Sequence, residues 1–203
     1  MHGKIQAMND KEHLQAPPVL NQILSATVAA GFQMASEPQT GSLLRTLAAS
    51  KPSGCFLELG TGTRISTAWL LDGMDEESQL LTVENDSLIA SIAQKYLAQD
   101  RRVSFHTEDA GVFMERLIAQ NQKFDLIFAD TWIGKYTCLE DSLSLLKLGG
   151  LYVIDDMLPQ KNWIEGHESN VLTLIVDLEN RQNLSVTKLA WASGIVIATK
   201  KKS

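Results

Sequence analysis

The sequence predicts an α/β fold with a doubly wound, mostly parallel sheet, and two of its features indicate this. Residues 55–59 are an apolar run that stops at Gly60 and Gly62, and a helical spacing of apolar residues starts at Ile65. An apolar run without polar alternation is typical of a buried parallel strand, and the glycines let the backbone turn tightly towards a ligand. Strand and helix patterns then alternate as far as residue 154, which implies right-handed crossovers in a sheet covered on both faces.

Two helices are predicted ahead of the first strand. Residues 1–16 are polar and irregular and are expected to form a flexible arm, so that a single domain covers residues 17–203. Two prolines open the first helix, since proline is tolerated in the first turn, and the apolar spacing of this helix runs to Phe32. The second helix follows Pro38.

The elements that follow define the architecture. A helix is expected to start at Asp86 and to face inward with Leu88, Ile89, Ile92 and Leu97. Near the C-terminus, two strands separated by only four residues predict an antiparallel hairpin. The sequence therefore predicts a Rossmann-like sheet of seven strands, five parallel plus this hairpin, at residues 55–59, 80–84, 103–107, 124–129, 151–154, 184–190 and 195–199. Further helices are expected at residues 65–71, 86–97, 112–118 and 139–148. A long loop is expected at residues 157–169, and one more helix follows it.

Composition and charge exclude several classes of protein. A chain of 203 residues with 44% hydrophobic and 21% charged residues suits one globular domain. Its net charge of −6 does not provide the positive charge that binding to nucleic acid requires. No apolar run approaches the ~18 residues of a membrane span. Cys55 and Cys138 fall in a predicted strand and helix, so a disulfide framework is not expected. These features are typical of a cytoplasmic protein, and the apolar N-terminal helix could serve a homodimer.

The glycine turn distinguishes between two classes of cofactor. A dinucleotide fingerprint would place a third glycine at position 65, where this sequence has Ile65. Glu58, just before the first glycine, would repel a diphosphate but attract the ammonium or sulfonium of S-adenosylmethionine. These features favour S-adenosylmethionine over a nicotinamide dinucleotide, with a tight turn that binds no ligand as a further alternative.

Acidic residues at the ends of the next two strands extend this interpretation. In an open α/β sheet, ligands bind beyond the carboxyl ends of the strands. Glu84, about twenty residues after the glycine turn, could accept both ribose hydroxyls of the cofactor, or it could simply be a charge at a helix N-terminus. Asp109 could accept from the adenine amino group while the small Ala110 lets the backbone approach the ring. Asp109 could equally cap a helix.

Three carboxylates follow the fourth and fifth strands. Asp130 ends the fourth strand, and Asp155 and Asp156 end the fifth, which the sheet places beside it. Carboxylates that share a partly buried cleft need compensation, and oxygen ligands suit Mg²⁺ or another hard divalent cation. The alternative is that one or two of them cap helices or face solvent.

Together these motifs resemble the metal-dependent O-methyltransferases of the catechol and caffeoyl-CoA type, which use S-adenosylmethionine. The likeness runs from about residue 34 to the terminal hairpin. Residues 58–63 resemble the first motif of that family, and Glu84 resembles its ribose-binding acid. Residues 124–130, Tyr136 and residues 149–156 resemble its metal-binding half.

The resemblance implies a mechanism and a set of site residues. A metal would chelate two oxygens of a small, aromatic acceptor and lower a hydroxyl pKa, and the oxygen would then attack the sulfonium methyl in line. Metal ligands would be Asp130, Asp155 and Asp156, and Lys135 and Asp130 would be catalytic. The cofactor would be held by Glu58, Gly60, Thr61, Gly62, Ser66, Glu84, Asn85, Asp109, Ala110 and Asp130.

The sequence departs from the family at two positions. Asp156 stands where the family has asparagine. The family also places a lysine, as a base, three residues after its first metal aspartate, where this chain has Ile133. Either the loop bulges to bring Lys135 into that place, or the base is another group, such as His167 or Asp156.

Two other functions stay open at this stage. One is a methyltransferase that needs no metal and has a different acceptor, and the other is a protein that binds S-adenosylmethionine without turnover. Trp132 and Trp163, in loops near the expected mouth of the site, either form a wall for an aromatic acceptor or shield the cleft from water.

Overall fold

The computed structural model describes residues 8–31, 36–63, 65–161 and 163–202. Phe32, where the first helix was predicted to end, and residues 34–35, where the family likeness was predicted to begin, lie outside these ranges. Within the described residues, seven strands form one sheet in the order β3-β2-β1-β4-β5-β7-β6. The first five pair in parallel, and the last two form the antiparallel hairpin, as predicted. The strands are β1 (Cys55–Leu59), β2 (Gln79–Glu84), β3 (Val103–Thr107), β4 (Phe124–Ala129), β5 (Leu146–Ile154), β6 (Leu184–Leu189) and β7 (Ile195–Lys200).

Helices cover both faces of this sheet. In the described part of the chain they are α1 (Leu20–Ala29), α2 (Pro38–Ala49), α3 (Ile65–Gly73), α4 (Ser87–Leu97), α5 (Ala110–Ala119), the short α6 (Trp132–Lys135), α7 (Leu139–Ser144) and α8 (His167–Asn180). None of the described helices combines the length and the apolar character needed to cross a membrane.

Side chains alternate between the two faces of a strand, so successive strand residues are buried in two separate hydrophobic cores. On one face, Phe56 and Phe128 pack with Trp69 of α3 and with apolar residues of α1 and α2. On the other face, Leu57 and Tyr152 pack with apolar residues of α5, α7 and α8. These side chains are fully buried, and each contributes roughly 1.5–3 kcal/mol relative to an exposed position. The central strands are therefore rigid supports for the loops at their carboxyl ends.

The predicted arm contacts the domain where the structure describes it. The Asp10 carboxylate accepts hydrogen bonds from the Gln39 amide, at 3.1 Å, and from the Trp191 indole. The Arg45 guanidinium donates to the carbonyls of Leu14 and Gln15 at 3.0 and 2.6 Å. Residues 10–15 thus lie across α2 and the β6–β7 turn.

Three predicted details are wrong. Leu88 is 77% exposed, whereas Leu97 is buried as predicted and α4 also packs through Ala90. The side chain of Ile92 lies outside the described part of the structure. The helix predicted at residues 139–148 ends at Ser144, and β5 begins at Leu146 because that residue pairs with Phe124 of β4. Helix α8 begins at His167, inside the segment predicted as a loop.

Candidate active site

A cavity of about 950 Å³ opens beyond the carboxyl ends of β1, β2, β4 and β5. One end is lined by Gly60, Gly62, Glu84 and Asn85, which the sequence assigned to the cofactor. The other end is lined by Asp130, Lys135, Asp155 and Asp156, and by an aromatic wall of Trp132, Tyr136, Trp163 and His167. The fold therefore joins the two predicted halves of the site in one continuous space.

The turn after β1 is held in a conformation that glycine permits. Gly60 has φ +87°, and a Cβ there would lie 2.9 Å from the Cβ of Thr131 and 3.0 Å from the carbonyl oxygen of Asp130. The amides of Gly60 and Thr61 both donate to the carbonyl of Val83, at 3.1 and 3.2 Å. The glycine thus allows the turn to pass directly against the loop that follows β4.

Glu58 lies behind this turn and is fully buried. Its carboxylate accepts hydrogen bonds of 2.6 Å from the hydroxyls of Ser66, Thr67 and Thr82. A buried carboxylate needs such donors because it has left water. Glu58 therefore ties β1 to α3 and β2, and it is absent from the described lining of the cavity. Its predicted contact with the sulfonium stays a prediction that this orientation does not favour.

Thr61 and Ser66 also support the turn from behind. The Thr61 hydroxyl contacts that of Thr82, and the Ser66 hydroxyl donates to Glu58. Both side chains are buried. Their predicted role in cofactor binding could therefore be exerted through the shape of the turn.

Glu84 stands at the end of β2 with its carboxylate on the cavity. One oxygen accepts from the Gly62 amide at 2.8 Å, and the other accepts from the Asp86 amide at 3.1 Å. Asp86 in turn caps α4 by accepting from the amides of Leu88 and Ile89. The carboxylate is thus fixed in position next to the glycine turn, and its contact with a ribose stays a prediction.

Asp109 is the N-cap of α5. Its carboxylate accepts from the amides of Gly111 and Val112, at 2.8 and 3.1 Å, which is the capping role that the sequence left open. Asp109 and Ala110 are not among the residues described along the cavity, so their predicted contact with adenine stays a prediction.

The Asp130 carboxylate is held from two sides. One oxygen accepts from the Ser36 hydroxyl at 3.1 Å, and the other lies 3.6 Å from Nζ of Lys135. Lys135 is buried, with only 5% of its side chain exposed, and its Nζ donates to the carbonyl of Asp155 at 2.9 Å. Burial raises the pKa of Asp130 well above its usual range. The Lys135 charge opposes that rise, and Asp155 and Asp156 add to it.

A kinked loop brings Lys135 to this place. Ile133 and Gly134 have non-helical dihedral angles inside α6, and Gly134 has φ +97°. The Gly134 amide donates to the carbonyl of Thr137 at 2.6 Å, and the Tyr152 hydroxyl donates to the carbonyl of Gly134. The loop therefore bulges as the first alternative expected, and Lys135 enters the site, while the identity of the base stays a prediction.

Asp155 is buried at the end of β5. One of its carboxylate oxygens accepts from the Asp156 amide at 2.8 Å and from the Ser193 hydroxyl. Burial raises the pKa of Asp155 to about 6, with the Ser193 hydrogen bond opposing the rise. Asp156 follows with φ +59° and lines the cavity.

These acids fit a divalent cation poorly. Within the described ranges, His, Cys, Asp and Glu side chains form no group of three placed to hold a metal ion. The charge that lies beside Asp130 is the Lys135 ammonium, and Asp155 uses a carboxylate oxygen on two hydrogen-bond donors. The metal centre formed by Asp130, Asp155 and Asp156 therefore stays a prediction.

The aromatic wall is a connected cluster. Trp163 stacks on His167 with ring centroids 4.3 Å apart. Trp132 makes edge-to-face contacts with Tyr136 and His167, with ring centroids 5.0 and 5.3 Å apart. The Tyr136 hydroxyl lies 3.1 Å from Nε2 of His167. Burial is the main cause that lowers the pKa of His167, with Lys135 adding to it and Asp156 opposing it. Burial also raises the pKa of Tyr136 to about 12.

Sequence reasoning missed several polar partners in this site. Ser36, Ser193, Thr67 and Thr82 each bind an acidic side chain of the site or its turn. Only Ser193 had a visible signal, because it lies in the short hairpin turn. Isolated hydroxyl residues distributed along the chain carry no spacing that predicts a shared partner.

A seven-stranded sheet of this order, with a glycine turn and an acid facing a cavity at its carboxyl edge, defines a Rossmann-like methyltransferase fold. The family model described as O-methyltransferase matches residues 10–201. The chain therefore belongs to the O-methyltransferase family, and the resemblance seen in the sequence is confirmed.

Individual relatives agree with this assignment. A catechol O-methyltransferase of Niastella koreensis is 30% identical over 126 residues, which cover 60% of this chain and 57% of that protein. The chain thus spans little more than half of that relative. An O-methyltransferase of Streptomyces achromogenes involved in tomaymycin synthesis, solved with SAM, has a TM-score of 0.80 and 20% identity over 91% of this chain and 90% of its own. An O-methyltransferase of Bacillus cereus, solved with SAH, has a TM-score of 0.78 and 20% identity over 98% and 94% of the two chains. At this identity the two solved structures show the fold alone.

Proposed function

We propose that this protein transfers the methyl group of S-adenosylmethionine to a hydroxyl of a small aromatic acceptor. The observation that carries the proposal is the continuous cavity, which joins the glycine turn and Glu84 to a polar and aromatic end at Lys135 and Trp163. The acceptor is a small molecule, since the net charge of −6 is unsuited to nucleic acid. The proposal also places this protein in the cytoplasm.

The cofactor end offers suitable partners for an adenosyl group. Glu84 would accept from the ribose hydroxyls, and Gly60, Gly62 and Asn85 line the space beside it. The Glu84 carboxylate is already oriented by the Gly62 amide, so the ribose would meet a hydrogen-bond acceptor that is already in position. Thr61, Ser66 and Glu58 would support this surface from behind.

The acceptor end offers flat apolar surfaces next to charged groups. Trp132 and Trp163 flank the imidazole of His167, and stacked or edge-on contacts between aromatic rings favour an aromatic acceptor. Lys135 and Asp130 line the same end of the cavity. A hydroxyl on the acceptor ring could therefore reach the ammonium of Lys135.

The transfer itself forms one bond and breaks another. The acceptor oxygen attacks the methyl carbon, the new O–C bond forms as the C–S bond breaks, and the sulfur keeps the electron pair and becomes neutral. The proton of the acceptor hydroxyl passes to the imidazole of His167. The lowered pKa of His167 keeps this ring neutral, and so able to accept a proton, at pH 7.

Calorimetry and product analysis test this proposal. The purified chain should bind S-adenosylmethionine more tightly than NAD, and mass spectrometry should detect S-adenosylhomocysteine with some members of a panel of phenols and catechols. Glu84→Gln should weaken binding of S-adenosylmethionine about tenfold, the loss expected for a hydrogen bond to a charged group. Glu108→Gln is the control, because that acid also follows a strand but is bound by Arg116. Equal affinity in both variants, or tighter binding of NAD by the native chain, would contradict the proposal.

A further inference from the structure

We propose that the ammonium of Lys135 takes the position of the divalent cation expected from the family resemblance, so that this chain holds its acceptor through a lysine and one acceptor oxygen. The position of the ammonium follows from its distances to Asp130 and Asp155. Its contact with an acceptor oxygen rests on the proposed function.

The ammonium lies among the groups that were expected to bind a metal. Its Nζ is 3.6 Å from a carboxylate oxygen of Asp130 and 2.9 Å from the carbonyl oxygen of Asp155. A divalent cation coordinated by Asp130 and Asp155 would therefore lie next to a positive charge that is itself buried. Repulsion between like charges is strong where water is excluded, so the two cations compete for one place.

One carboxylate oxygen of Asp130 and one of Asp155, both predicted metal ligands, already accept hydrogen bonds. One oxygen of Asp130 accepts from Ser36, and one oxygen of Asp155 accepts from both Ser193 and the Asp156 amide. Mg²⁺ requires near-octahedral oxygen coordination, and Ca²⁺ requires 6–8 oxygens. The hydrogen bonds orient these carboxylates towards protein donors and leave the ammonium as their cationic neighbour.

The backbone around Lys135 is built to hold it there. Gly134 adopts φ +97°, and its carbonyl is bound by the buried Tyr152 hydroxyl. A Cβ at Gly134 would lie 2.7 Å from Cδ1 of Leu59, so the loop packs directly on β1. The burial of Lys135 is thus a consequence of a fixed loop, unlike the mobile placement of a surface lysine.

An ammonium recognises a different acceptor from a chelated metal. A metal can bind two neighbouring oxygens of one acceptor, whereas an ammonium offers three N–H donors, of which one is used on Asp155. Since Lys135 lines the cavity, a remaining donor can face a single acceptor oxygen. The acceptor class is therefore a phenol with one hydroxyl at the reacting position, and a second neighbouring hydroxyl is not required.

Binding of Mn²⁺ tests the position of the ammonium without any turnover. Electron paramagnetic resonance of Mn²⁺ titrated with the native chain should show no stoichiometric binding at millimolar concentrations. Lys135→Ala removes the competing charge and should gain affinity for Mn²⁺ of about tenfold or more, whereas Lys135→Arg should resemble the native chain. Stoichiometric binding by the native chain that is lost in Asp130→Asn overturns the proposal, as does a folded Lys135→Ala protein that gains no affinity. If Lys135→Ala does not fold, the native titration decides alone.

Turnover tests the acceptor class and separates this inference from the proposed function. Formation of S-adenosylhomocysteine should persist in EDTA, and monophenols should be methylated at rates within about tenfold of those of matched catechols. Loss of turnover in EDTA that Mg²⁺ restores, or a strict requirement for catechols, overturns the inference while supporting methyl transfer. A native chain that binds no S-adenosylmethionine defeats the proposed function, and the Mn²⁺ titrations still decide where the cation lies.

Discussion

Replacing Gly134 with alanine should destabilise the protein and displace Lys135. Gly134 has φ +97°, a region that costs an L-residue about 1–2 kcal/mol. The added Cβ would also lie 2.7 Å from Cδ1 of Leu59 and 3.1 Å from Oγ of Ser142. Leu59 is fully buried in β1, so the contact cannot be relieved by turning the side chain into solvent. Overpacking of this kind costs about 1–3 kcal/mol.

The two costs add to roughly 2–5 kcal/mol for Gly134→Ala. For a chain of 150–250 residues, about 1 kcal/mol lowers Tm by roughly 2–4 °C, so we expect Tm to fall by about 4–20 °C. Gly149→Ala is the matched control, because Gly149 has φ +75° but nothing lies within 4 Å of its added Cβ. That variant should lose only the backbone cost of about 1–2 kcal/mol. Both variants share the small gain from a less flexible unfolded chain.

Differential scanning calorimetry of the three proteins measures the difference, and product formation at a temperature where all are folded measures the effect on the site. Gly134→Ala should lose turnover because Lys135 moves with the loop, whereas Gly149→Ala should keep it. The steric argument is refuted if the two variants lose equal stability. The link between the loop and the site is refuted if Gly134→Ala keeps full turnover.

Two further predictions concern other parts of the site. Glu58→Ala should cost about 3 kcal/mol or more in urea unfolding, because it leaves the buried hydroxyls of Ser66, Thr67 and Thr82 without their acceptor. A loss no larger than that of the surface variant Glu77→Ala would contradict this. If His167 accepts the proton, kcat/KM should rise with pH through a pKa below the usual 6.5, since burial and Lys135 lower that pKa more than Asp156 raises it. His167→Gln should lack this acidic limb, and an unchanged profile in the variant would exclude His167 as the base.

The strands were predictable wherever an apolar run was bounded by residues that break regular structure. The bounds of β1 and β4 agree with the sequence prediction, since each run ends at a glycine or an acid at the carboxyl edge. The start of β5 was not predictable. Residues 139–148 keep a helical spacing of leucines, and the chain leaves the helix only because Leu146 pairs with Phe124, which is a tertiary contact.

The positions of the acids were predictable, but their partners were not. Parallel strand order brings Asp130 and Asp155 to one edge, because Ala129 pairs with Ile154 just before them. The position of Lys135 in the site depends on the backbone angles of Gly134. The number of residues between Asp130 and Lys135 does not specify those angles. The sequence therefore predicts a bulged loop as one of two alternatives, and the structure shows where the ammonium lies.

The preference for a cationic donor needs a different physical basis from the one that the sequence suggested. Glu58 was expected to repel a diphosphate, but its carboxylate is bound by three hydroxyls behind the turn. The described lining of the cavity contains six carboxylates and two ammonium groups, from Glu37, Glu84, Asp86, Asp130, Asp155, Asp156, Lys135 and Lys161. A cleft lined mostly by one sign of charge concentrates ligands of the opposite sign. This excess of acidic side chains disfavours a pyrophosphate and favours a sulfonium although Glu58 lies behind the turn. Neutralising Asp86 or Asp156 should therefore affect cofactor affinity more directly than any conservative change at Glu58.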